Sequence, residues 1–299
     1  MRRPIVIATL LAAGVAGAAA FAQQDMSAVQ IRTVEIRPGV AVLFGNGGNI
    51  GVSHGTDGTI LVDDQFAPLT TKIQAAVAGL GATPTKFLIN THWHFDHAGG
   101  NENFGKAGAL IVAHDNVRLR LAEGGTVAGN PSPPAPPEAL PVVTYDDGVT
   151  FHVNGDEIDV KFLGGGHTDG DSVIYWRKAN VLHTGDMYIS TGGLPFVDVS
   201  SGGNVEHLLN SLDQMIAMID DKTVVIPGHG ELATRSDMIA FRTMVATAVE
   251  RVKALKDAGR TLDQAKAAKP LAGLASTEGF FPDDRFVESI WSSLEAHGH

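Results

Sequence analysis

The amino-acid sequence predicts a mixed α/β fold built in layers, and three observations carry that prediction. Short apolar runs broken by Gly- and Asn-rich turns dominate residues 39–62. From Ala67 onward, helical and strand patterns alternate. Finally, 44% hydrophobic against 18% charged residues over 299 positions is the balance of a chain that buries a sizeable core and is not disordered.

The N-terminus reads as an address. Arg2 and Arg3 precede an uncharged run of apolar and small residues from Ile5 to Ala20, and Ala20-Phe21-Ala22 offers a small-x-small cleavage pattern. A retained anchor is the competing reading, but the run is short for a span and mostly Ala and Gly at its middle. Residues 1–22 are therefore expected to be a signal peptide, residues 23–299 one domain with C-terminal helices, and the product exported and periplasmic. Loss of Arg2 and Arg3 leaves 20 basic against 33 acidic residues, a net charge of −13 in place of −11. Such a charge repels phosphate backbones, so no nucleic-acid partner is expected. No later apolar run is long enough to cross a bilayer, so no stable membrane insertion is expected after processing.

Gly39–Phe44, Asn49–Ser53 and Thr59–Val62 read as a strand meander, the last following the turn dipeptide Asp57-Gly58. Ala67–Leu80 reads as a helix with Ile73, Ala76, Val77 and Leu80 on one face, and Lys86–Ile89 as a short buried strand. The proline-rich stretch Asn130–Pro141 is expected to be an extended surface connection within one domain. Val149–Val153, Glu157–Phe162, Ser172–Trp176 and Asn180–His183 read as further strands. Val205–Ile219 is an amphipathic helix, and Phe286, Val287, Ile290, Trp291 and Leu294 mark a final one.

The chemistry concentrates after Ile89. His92, His94, Asp96 and His97 fall within six residues, and a loop at a strand end could aim all four into one cleft. The chain has no Cys, so a metal must be held by imidazole and carboxylate, a mixture suited to zinc and similar divalent ions. Three later segments place a ligand type beside glycine at a strand end: His167 in GGGHT, Asp186 in LHTGD and His229 in IPGHG.

In this order the motifs resemble the metallo-β-lactamase superfamily, over about residues 36–230. The resemblance implies a four-layer αβ/βα sandwich with a two-metal site along one edge. It implies that His92, His94 and His167 hold one Zn²⁺, that Asp96, His97 and His229 hold a second, and that Asp186 bridges them. It also implies a metal-activated hydroxide that attacks an ester, lactone, thioester or β-lactam-like amide of a small-molecule substrate, with Asp96 catalytic as orienter or proton relay. Iron and manganese remain open in place of zinc. Absence of Cys departs from the thiolate-bearing β-lactamases, and the TGD motif is more similar to general hydrolases of the superfamily. A mononuclear iron persulfide dioxygenase-like enzyme and a non-enzymatic metal- or ligand-binding protein are the alternatives.

Among the remaining candidates, Asp63 is expected either to support the metal ligands from behind or to cap a turn. His183 is either a similar support or an edge-strand histidine. Trp93 and Phe95 either wall the cleft or pack beneath the loop. His54, His114, His152 and His207 read as surface or packing residues, and His297 and His299 as part of a frayed end. The Pro-rich stretch and residues 192–203 are the expected bearers of specificity.

Overall fold

The computed structural model describes residues 25–127, 129–275 and 281–296. The expected signal peptide, residues 1–22, lies outside them, as do His297 and His299. In chain order the first half contains β1 (Arg32–Arg37), β2 (Val40–Phe44), β3 (Ile50–Gly55), β4 (Gly58–Val62), α1 (Thr70–Gly79), β5 (Thr85–Ile89), α2 (Phe95–Ala98), α3 (Asn101–Lys106), β6 (Leu110–His114), α4 (Asp115–Glu123), β7 (Gly125–Val127), β8 (Asn130–Ser132) and β9 (Val143–Tyr145). The second half contains β10 (Gly148–Val153), β11 (Asp156–Phe162), β12 (Ser172–Trp176), β13 (Val181–His183), α5 (Val205–Met218), β14 (Val224–Ile226), α6 (Arg235–Asp257), α7 (Leu262–Ala267) and α8 (Asp283–Ala296).

A seven-stranded sheet runs β1-β2-β3-β4-β5-β6-β9, and a five-stranded sheet runs β10-β11-β12-β13-β14. Strands buried on both faces read as continuous apolar runs, which is why VAVLF and GTILV show little alternation. Val42, Val62, Ile89 and Val112 of the first sheet meet Ile158, Val160, Ile174 and Trp176 of the second in one core. The first sheet's opposite face packs Leu43, Leu61 and Leu88 against Ile73 and Val77 of α1 and Phe104 of α3. On the second sheet, Val173, Leu182 and Val225 pack against α5, α6 and α8 through Leu208, Leu212, Val245 and Ile290. The order helix, sheet, sheet, helix is the expected four-layer sandwich.

Local chemistry sets the helix boundaries. The Asn204 side chain accepts from the Glu206 and His207 amides to start α5, and a reciprocal Thr234–Asp237 capping box starts α6. Pro68 sits in a short 3₁₀ turn over Ala67–Leu69, so the regular helix begins at Thr70 and not at Ala67. The proline-rich stretch is not wholly extended: Asn130–Ser132 pairs with β7 in a two-stranded ribbon, where Pro131 is tolerated because both strands are edges.

Parallel pairing decides where the site forms. Val62 at the end of β4 lies beside Ile89 at the end of β5, and His183 at the end of β13 lies beside Ile226 at the end of β14. Loops leaving these carboxyl ends all emerge on one edge of the sandwich, the usual place for a ligand in such sheets.

Candidate metal centre

The segment after β5 is half loop and half helix. His92 and His94 lie on the loop, and His94 has an extended backbone at the N-terminus of the single-turn α2, which contains Asp96 and His97. The whole motif is expected on a loop; its end is instead one helical turn, which brings the His97 ring to 4.2 Å from that of His92. Asp186 is the middle residue of a 3₁₀ turn, Gly185–Met187, after β13, while His167 and His229 sit in glycine-containing turns after β11 and β14. Gly48 gives His97 its room, since a Cβ there would lie 2.1 Å from the ring.

These residues converge. Three groups each bring their donor atoms within 4.8 Å of one another: His92 with His94 and His167, His92 with His97 and Asp186, and Asp96 with His97 and His229. His97 Nε2 lies 3.2 Å from Asp186 Oδ1 and 3.8 Å from Asp96 Oδ2. His229 Nε2 lies 3.3 Å from Asp96 Oδ2 and 3.4 Å from Asp186 Oδ2. Of the seven, His92, His94, His97 and His167 are buried, while Asp96, Asp186 and His229 are partly open to solvent.

The outward ring nitrogens fix the tautomers. His167 Nδ1 donates to the Phe196 carbonyl at 2.7 Å, and His94 Nε2 donates to Asp198 Oδ2 at 3.0 Å. Thr91 Oγ1 gives its proton to Asp63 Oδ2 at 2.8 Å, so it accepts from His92 Nδ1 at 3.0 Å. Each ring therefore turns a lone pair inward: His92 Nε2, His94 Nδ1 and His167 Nε2. His94 Nδ1 and His167 Nε2 are only 2.9 Å apart, and His92 Nε2 is buried with no hydrogen-bond partner. Converging lone pairs repel unless a cation lies among them, so the residues present fit a divalent metal ion.

Electrostatics divides the cluster. Burial, with like charge on His97, His167 and His94, pushes His92 well below the usual imidazole range. Burial likewise lowers His167 to about 4. Burial also opposes charge on His97 and His229, but there Asp186 and Asp96 outweigh it; His97 rises well above the ordinary value and His229 to about 10. Burial would raise Asp96, yet His97 and His229 hold it down at about 2, and the same two histidines keep Asp186 well below the carboxylate range. One half of the site is thus neutral imidazole, and the other is a network of carboxylates and protonated imidazoles until a metal displaces the protons.

Asp63 stands behind this network. Its Oδ2 accepts from His97 Nδ1 at 2.7 Å and its Oδ1 from the Thr91 amide at 2.8 Å, with its own backbone held at φ 64°. His183 is not on an edge: β13 lies between β12 and β14. Its Nδ1 accepts from the Gly185 amide and its Nε2 donates to the Asn49 carbonyl, so it touches the residue before Asp186 and no ligand. Trp93 packs with Ala113, Val117 and Val127 under the loop, and Phe95, partly buried, lies tilted against Phe66 with ring centroids 6.1 Å apart. Phe196 does face the ligands, with its ring stacked 5.7 Å from that of His94. His114 is buried, stacks on Phe162 and caps α4.

Sequence reasoning missed Asp198, Asp171 and Asn49. Asp198 lies 104 positions from the histidine it holds, and its one signal is a carboxylate in the apolar run Phe196–Val199. Asp171 accepts from the Thr168 amide and hydroxyl, fixing the turn that carries His167, and burial lifts it to about 7.

With this geometry in place, comparison with known proteins is decisive for the family. The metallo-beta-lactamase superfamily model matches residues 43–229. The chain belongs to that superfamily. It is 27% identical over 148 residues to metallo-beta-lactamase IND-1 of Chryseobacterium indologenes, covering 50% of this chain and 56% of that relative, so the match spans little more than half of that relative's length. To a probable metallo-hydrolase, YqgX of Bacillus subtilis, it is 28% identical over 179 residues, 57% of this chain and 81% of the relative. Among solved structures, a metallo-beta-lactamase from Pontibacter korlensis aligns with TM-score 0.61 and 20% identity over 73% of this chain and 99% of that one. A sec-alkylsulfatase from a Pseudomonas species aligns with TM-score 0.67 and 17% identity over 88% of this chain and 50% of that one; both likenesses concern the fold.

Proposed function

We propose that the chain is an exported, periplasmic, dinuclear zinc hydrolase that cleaves an ester, lactone, thioester or amide bond of a small molecule. The observation that carries this reading is the set of three inward lone pairs, on His92, His94 and His167, beside a second donor set of Asp96, His97 and His229, with Asp186 reaching both. His92, His94 and His167 would hold the first ion, Asp96, His97 and His229 the second, and Asp186 both. Bound there, two divalent ions lower the pKa of water and oppose the charge that develops on a carbonyl oxygen.

The chain's own residues do the rest. Asp96 is the more open carboxylate of the cluster, its side chain 24% exposed, and it is held ionised beside His229. In that position it takes the proton of the attacking water and returns it toward the leaving group. Phe196, stacked on His94, keeps bulk water from that side of the reacting centre. The net charge of −11 repels polyanions and favours small neutral or weakly charged substrates over nucleic acid. Among the described residues no helix is long and apolar enough to cross a membrane.

The test is metal analysis coupled to a hydrolysis screen on β-lactams, lactones, aryl esters and thioesters. The expected result is close to two zinc equivalents and turnover of at least one class. A clean single equivalent would remove the bridging role of Asp186. Two bound ions with no turnover in any class would favour a metal-binding protein without catalysis.

A further inference from the structure

We infer that Asn49 is a positioning residue for His229: one side chain and its own backbone clamp the turn that aims this imidazole at the cluster. The inference rests on the two-ion reading above for its consequence, though not for its geometry.

The turn Pro227-Gly228-His229-Gly230 leaves β14 as irregular backbone, so its four carbonyls have no sheet partner by default. All four are nonetheless taken. Asn49 Nδ2 donates to the Pro227 and Gly230 carbonyls, each at 2.9 Å, and the Asn49 amide donates to the Gly228 carbonyl at 2.7 Å. The fourth, of His229 itself, accepts from the Ser190 amide at 2.9 Å. Three of the four carbonyls are thus held by one residue, and they lie on both sides of His229; Ser190, through its amide and its hydroxyl, holds the fourth.

Asn49 is itself held. It is 4% exposed, it immediately precedes β3, and its carbonyl accepts from His183 Nε2 at 2.9 Å. His183 Nδ1 in turn accepts from the Gly185 amide, one residue before Asp186. A continuous line of hydrogen bonds therefore runs from the Asp186 turn through His183 and Asn49 to the His229 turn. This gives a task to His183, a buried histidine that meets no ligand. Only an asparagine amide supplies two N–H donors at this reach; an aspartate would oppose two carbonyl oxygens with its own. His167 and His94, backed by Phe196 and Asp198, receive nothing from Asn49.

The test uses the full chain with Asn49→Ala and Asn49→Asp. Asn49→Ala keeps the backbone bonds to Gly228 and from His183, so it removes only the two side-chain bonds and should fold. Zinc titration should show the first ion bound within threefold of the parent and the second at least tenfold weaker, as loss of a partner behind a ligand commonly costs. In the zinc-free proteins, the His229 imidazole resonances should shift while those of His167 stay in place. Asn49→Asp should show both effects more strongly. Unchanged His229 resonances together with an unchanged second ion would overturn the inference. So would equal weakening of both ions in Asn49→Ala. Should the parent itself take up a single ion, the two-ion reading fails, and the imidazole resonances alone still decide whether Asn49 positions His229.

Discussion

Asp198 and Asp63 do the same job for different histidines. Each is a buried carboxylate that accepts the outward N–H of a ring whose other nitrogen faces the cluster, His94 for Asp198 and His97 for Asp63. Burial would raise Asp198, but the bond from His94 and those from Ser200 and Ser201 hold it at about 2. An asparagine at either place can turn its NH₂ toward the ring and move the proton to the inward nitrogen. Asp198→Asn should therefore weaken the first ion about 10–100-fold and Asp63→Asn the second by a similar factor, measured by competition with a zinc chelator. The reverse assignment of losses would show that the two donor sets are not as drawn. Asp96→Asn is different in kind, since the proposed mechanism places Asp96 among the reacting groups. With excess zinc, its loss should appear in kcat, about 10²–10⁴-fold, with KM little changed; a variant within threefold of the parent would leave Asp96 a capping carboxylate.

At the scale of elements, legibility followed period and glycine. The strands around Val40–Phe44, Gly58–Val62 and Ser172–Trp176 were readable because buried strands are uninterrupted apolar runs, and α5 because five of its buried positions share one helical face. The ligands themselves were readable because spacing within HxHxDH and the glycines around His167, Asp186 and His229 are local features. The 23-residue helix α6 was overlooked, although Thr234-x-x-Asp237 and the spacing of Met238, Phe241, Val245, Ala248 and Val252 mark it. Strand β1, with no fully buried residue, carried only the weak alternation of Val34 and Ile36 between charged neighbours. Asp198 and Asn49 were invisible for another reason: their partners are set by the crossing of loops far apart in sequence. One consequence concerns turn geometry. A Cβ on Gly228 would lie 2.0 Å from Asp186 Oδ1 and 2.7 Å from the Gly185 backbone, whereas one on Gly79 in α1 meets nothing within 4 Å. Gly228→Ala should displace Asp186 and lose the proposed two-ion site, while Gly79→Ala should bind zinc normally. By denaturant unfolding Gly79→Ala should gain about 0.4–1 kcal/mol, and equal behaviour of the two variants would contradict this account of the β14 turn.

For the whole molecule, the cluster makes stability depend on pH in opposite ways on its two sides. In the zinc-free protein, His229 is raised to about 10 and His97 is also raised. Their contribution is complete below the unfolded imidazole value near 6.5 and is lost as pH climbs through the folded one. His167, lowered to about 4, and His92, also lowered, work the other way: folding favours their neutral forms, so their contribution is present above about 6.5 and fades as pH falls toward 4. Asp96, held at about 2, extends the acid loss, being complete above its unfolded value and gone once the folded carboxylate is protonated. The zinc-free protein should therefore show a maximum of Tm near neutrality, falling toward both pH 4 and pH 10. Zinc bound as proposed would replace the protons on His97 and His229, so in the loaded protein the alkaline fall should disappear. Its acid fall should steepen, because protons then compete with metal at every ligand. Thermal unfolding of chelator-treated and zinc-loaded protein from pH 4 to pH 10 reads both arms, and parallel curves for the two forms would mean that the imidazoles around Asp96 and Asp186 do not exchange protons for metal.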